Sequence, residues 1–239
     1  MSANRTPQPN LIAASVPETD SIQSGRALKR MALIAWLSIL LGLVMQGLVL
    51  LAKTALGPQP ESMQVIVDFA QGITWAFFVC AGIGFGTAIA RGRSAIGGAV
   101  GLISAPAAVG LAKGSQKVMG SALGMANKPA ILSLLTVGSL RALEYGFLGW
   151  MLASLAAKAN PRFSQFVGVG AAAGIIFGGA ITILTIHAAG LQQAHMATPQ
   201  VVALVLNEML FPVGCSFVVY LALNIGQHVK LVTARPTGA

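Results

Sequence analysis

The chain has 239 residues, 55% of them hydrophobic and 9% charged, with a mean hydropathy of +0.77. That balance excludes an ordinary soluble globule and makes lipid the main solvent. The net charge of +9 does not signal nucleic acid, because the basic residues fall mainly in short segments between apolar runs, as a topology signal does.

Residues 1–25 hold Pro7, Pro9 and Pro17 among Ser, Thr, Asn and Gln without sustained periodicity, and read as a disordered cytoplasmic tail. Arg26, Lys29 and Arg30 then precede an apolar run over 31–52, too long for the core of a signal peptide, which reads as a first span that is retained. Lys53 and the turn Gly57-Pro58-Gln59-Pro60 end it, and a second span covers 65–90 up to Arg91-Gly92-Arg93. The third run, 94–112, is rich in Gly and Ala and carries Pro106 in its middle, so both a full crossing and a re-entrant segment are open to it. Residues 113–128 mix Val118, Met119 and Leu123 with Lys113 and Lys117, the composition of a short interfacial helix. A fourth span follows at 130–157, and the polar turn of Lys158, Asn160, Pro161 and Arg162 leads to a fifth at 163–189. An uncharged loop with Gln192, Gln193, His195 and Pro199 precedes the sixth, 200–225, and a short cytoplasmic tail closes the chain at 229–239. The expected fold is therefore all-α, a polytopic integral membrane bundle of about six transmembrane helices within 26–228.

Charge counting orients it. With six spans and the N-terminus inside, Arg5, Arg26, Lys29, Arg30, Arg91, Arg93, Lys158, Arg162, Lys230 and Arg235 are cytoplasmic, and Lys53, Lys113, Lys117 and Lys128 are outside, ten against four. A re-entrant third run gives nine against five. This asymmetry and the short loops favour a bacterial inner membrane with both termini cytoplasmic. Six spans also admit two inverted three-helix repeats, since the second and fifth spans are glycine-patterned and the third and sixth carry Pro106 and Pro212.

Two stretches bring charge into apolar runs. Arg141 and Glu144 lie near the middle of the fourth, three residues apart and thus on one helical face, where they neutralise each other. In the sixth, Asn207-Glu208 precedes Pro212, whose missing amide hydrogen frees the carbonyl of Glu208. An acid beside an amide at a proline-broken turn is a candidate ion or substrate site. The structural alternative is that Glu208 pairs with Arg141, or shares a proton with Glu144, only to hold helices together. Two deep acids face one deep base, so one carboxylate is in surplus.

Gly170, Gly174 and Gly178 recur every four residues in the fifth span, as do Gly82 and Gly86 in the second and Gly97 and Gly101 in the third, which is the spacing of close helix packing. Cys80 and Cys215 read as small packing residues rather than a disulfide. His187 and His195 fall on one side of the membrane and His228 on the other, so they form no common metal or haem site. The sequence carries no phosphate-binding loop, Cys-x-x-Cys, His-Glu-x-x-His or nucleophile elbow, so an enzyme, a cofactor and a metal are not expected. The expected function is passage or exchange of a small solute or ion, with Glu208, Asn207 and Pro212 as the site and Arg141 and Glu144 as its electrostatic partners. The rival is a non-transporting accessory, scaffold or assembly subunit of a larger inner-membrane complex. Besides the lipid bilayer, the expected partners are further copies of the chain or other membrane subunits, and no nucleic acid.

Overall fold

The computed structural model describes residues 18–90, 93–125, 131–194 and 196–233. The tail up to residue 17 and Arg91, Lys128, His195 and Arg235 lie outside them. The described chain is all-α, with six helices: α1 (Glu18–Leu56), α2 (Ser62–Ile89), α3 (Ser94–Ala122), α4 (Leu134–Ala156), α5 (Phe163–Leu191) and α6 (Thr198–Thr233). All but α4 are long and apolar enough to cross a bilayer; α4 has 23 residues but is made less apolar by Arg141 and Glu144. Large apolar side chains cover the outside of the bundle, Leu135, Ile103 and Trp36 among them, as lipid contact requires.

Local chemistry sets the helix limits. Ser133 caps α4 by accepting the amide hydrogen of Thr136 at 3.1 Å. α3 runs through Pro106 as one helix and absorbs 113–122, so that stretch is not a separate interfacial helix and the third run is not re-entrant. Its Gly, Ala, Ser, Gln and Lys residues offer no stop until Gly124, at φ +68°. α6 likewise continues through Pro212, which corrects the expectation of a broken turn. The ring's fixed φ is itself helical, so the proline removes one hydrogen bond without ending the helix. α1 begins at Glu18, inside the stretch read as tail.

The helices form three antiparallel hairpins. α2, α4 and α6 run in the same direction and touch one another at the centre; α1 packs between α6 and α2, α3 between α2 and α4, and α5 between α4 and α6. Two inverted three-helix repeats are not shown by this arrangement. They would give α1 the place of α4, yet α1 is peripheral and α4 is central.

Glycine lets two of these seams close to backbone contact. Along α5, a side chain at Gly170 would strike the Pro212 carbonyl and the Ser216 hydroxyl, one at Gly174 the Met209 carbonyl, and one at Gly178 the Glu208 carbonyl. Gly97 and Gly101 of α3 meet the backbone of Gly149 and Tyr145 in α4 in the same way. Gly82 and Gly86 of α2 lie against Ser104 and Val100 of α3. Around Gly174–Gly178 the helix α5 widens into one π turn, level with Glu208 and Met209 of α6.

Candidate functional site

The inward faces of the three central helices step through the bundle at intervals of three and four residues. On α2 the ladder is Gln64, Asp68, Gln71, Trp75, Val79 and Ile83; on α4, Val137, Arg141, Tyr145, Leu148 and Leu152; on α6, Gln200, Leu204, Glu208, Phe211, Cys215 and Val219. Each of α2 and α6 is polar at its start, aromatic in the middle and aliphatic beyond. Because these helices are parallel, their polar turns gather at one end of the bundle.

A cleft of about 900 Å³ opens at that end, where α1, α3 and α5 finish and α2, α4 and α6 begin. Six amide side chains line it, Gln46, Gln64, Gln71, Gln116, Gln200 and Asn207, together with Lys53, Lys113, Lys117 and Asp68. Lys53 and Asp68 pair at 2.8 Å and Gln64 donates to the other Asp68 oxygen at 2.7 Å. Lys113 donates to the neutral side chain of Gln116 at 3.2 Å. From the level of Gln200 to that of Glu208 the cleft descends about 12 Å, at 1.5 Å per residue.

Its floor is a buried charge triad. Arg141 Nη1 donates to Glu144 Oε2 at 2.8 Å along α4, and Nη2 donates to Glu208 Oε1 on α6 at 2.6 Å. Glu208 thus pairs with Arg141, as the structural alternative in the sequence has it: the packing of α4 on α6 brings residues 67 apart in sequence to hydrogen-bond distance. Glu144 Oε1 and Glu208 Oε2 are buried without a hydrogen-bond partner. Arg141 and Glu208 line the cleft, whereas Glu144 is fully buried and does not.

Under the triad lie three rings, one from each central helix. Trp75 and Tyr145 meet edge-on at 5.5 Å, and Phe211 completes the set at 6.0 Å from Trp75 and 6.3 Å from Tyr145. The Arg141 guanidinium sits 5.0 Å from the centre of the Trp75 ring, a cation–π contact that partly replaces lost hydration. Val79, Leu148, Leu152 and Val219 fill the bundle beyond them. Cys80 and Cys215 are free thiols there, within hydrogen-bonding reach of each other.

Of the residues singled out from sequence, Arg141, Glu144 and Glu208 meet in one cluster, and Asn207 lines the cleft beside them. Pro212 is buried against the glycine seam, on the far side of the triad from the cleft mouth. The amides, the lysine pair and the aromatic floor went unread. A signal for them existed in the second span, where one face carries Gln64, Asp68 and Gln71 at steps of three and four until the first aromatic ring, Trp75. His187 is exposed near the end of α5. The chain matches no protein-family model, no curated protein and no solved structure.

Proposed function

We propose that the protein crosses a bacterial inner membrane six times, with both termini cytoplasmic, and moves or exchanges a small polar solute or ion that enters through the amide-lined cleft and engages Glu208. The observation that carries this reading is the floor of the cleft, where a carboxylate with a second, unpartnered oxygen is held by an arginine that also serves Glu144. A charge at that depth costs a few kcal/mol or more, and such groups commonly line the paths of ions and substrates. The solute competes with Arg141 for Glu208, while Glu144 keeps the guanidinium compensated.

The cleft is open at one end and closed by rings and aliphatic side chains at the other, the form of one access state rather than of a continuous pore. Passage then requires the central helices to part beyond Trp75. The π turn of α5 and Pro212 of α6, at neighbouring levels of one seam, supply backbone that bends with few helical hydrogen bonds to lose. Glycine seams are already occupied within the chain, which removes one support for an accessory subunit that would use them to bind partner helices.

Proteoliposomes test the reading. Imposed sodium, potassium, proton or ammonium gradients, or labelled polar solutes, give a flux with the wild-type protein that Glu208→Gln abolishes. Absence of any wild-type flux, with stable co-purification of other membrane chains, defeats it in favour of an accessory role. A reporter joined to the C-terminus is expected on the cytoplasmic side.

A further inference from the structure

We infer that the cleft takes an elongated zwitterion the size of a short peptide, with its ammonium end on Glu208 and its carboxylate end toward Lys113 and Lys117. This rests on the reading of the cleft as a solute site. The two ends of the cleft carry opposite excess charge. At the mouth, Lys53 is matched by Asp68, while Lys113 faces a neutral glutamine and Lys117 has no carboxylate in salt-bridge contact among the described residues. At the floor, two carboxylates share one guanidinium.

A solute with a single sign of charge is favoured at one end and opposed at the other. A dipolar one is favoured at both, and in one orientation only. Glu208, 4% exposed, lacks a donor on Oε2, and an ammonium group has three N–H donors to offer.

Length and wall chemistry narrow the class. The fall of about 12 Å from mouth to floor matches an extended chain of three residues at about 3.5 Å each. Gln46, Gln71, Gln200 and Asn207 each present both a donor and an acceptor, as a peptide backbone does. The cavity of about 900 Å³ has room for such a solute and its waters.

The test uses the full chain in nanodiscs with Trp36→Phe and Trp150→Phe, which leaves Trp75, 5.0 Å from the Arg141 guanidinium, as the chain's sole tryptophan, excited apart from its tyrosines. Tri-alanine is expected to shift its emission saturably. Blocking the amino end as N-acetyl-tri-alanine weakens binding by about 100-fold, since Oε2 of Glu208 then faces no charged donor. Converting the other end to the amide weakens it by about 3- to 10-fold, the effect of a charge at a wet rim. Equal binding of the acetylated and free peptides overturns the assignment, as does the absence of any response to tri-alanine. Saturable, amine-dependent binding without flux in liposomes upholds the zwitterion site and defeats transport. A Glu208-dependent ion flux without peptide binding does the reverse.

Discussion

The cleft half and the closed half of the bundle use the same three central helices, yet they are built on different physics. Above Arg141 the inward ladders of α2 and α6 carry Gln64, Asp68, Gln71 and Gln200, polar side chains that line an open cleft. Below it, Val79, Leu148, Leu152 and Val219 are buried in mutual contact. The difference teaches where cohesion comes from in lipid. Apolar helices gain little by exchanging lipid for one another, so the closed half is held by close packing and glycine seams, while the junction is held by one arginine joining two helices. The triad is both the floor of the polar half and the rivet of the apolar one.

Removal of Arg141 should therefore break the comparison most severely. Arg141→Met leaves Glu144 and Glu208 buried and mutually repelling, and should destabilise by about 3–5 kcal/mol, read as early loss of the monodisperse peak on heating in detergent. Replacing both acids by Gln in that background should recover much of the loss; no recovery would mean that the arginine acts by shape rather than charge. Next comes the α5–α6 seam. Gly174→Leu drives a side chain into the Met209 carbonyl and should cost about 3 kcal/mol, or prevent assembly. Unchanged assembly would show that the seam opens without penalty.

Smaller effects separate the halves. Leu152→Ala, in the closed half, should cost about 2 kcal/mol through lost dispersion and a cavity, since lipid removes most of the transfer gain. Gln71→Ala, in the cleft, should stay within about 0.5 kcal/mol of wild type while altering solute binding. If denaturant titrations place the two variants at equal stability, the cleft is not a solvated region and the contrast fails.

Much of the fold is legible in the sequence. Six apolar runs became six helices, because length and hydropathy act locally and lipid tolerates only helices that satisfy their own backbone. Prolines were read too strongly. Pro106 and Pro212 suggest a re-entrant segment and a broken turn, but each sits inside a continuous helix, because the ring's φ is helical and only one hydrogen bond is lost. In the site, Arg141 and Glu144 were legible because their spacing alone puts them on one face. For Glu208 the sequence leaves both Arg141 and Glu144 open as partners, and only the face that α4 presents to α6 selects Arg141.

By itself, the sequence determined the solvent, the number of helices and the depth at which three charges are placed, since each follows from composition and order along a single chain segment. Tertiary structure alone decided that α2, α4 and α6 share the centre, that Arg141 bridges two acids, and that scattered glutamines line one cleft. The reason is that the rotation of each helix about its axis is fixed by its neighbours. Backbone seams at Gly101, Gly174 and Gly178 set those rotations, and with them which polar residues meet.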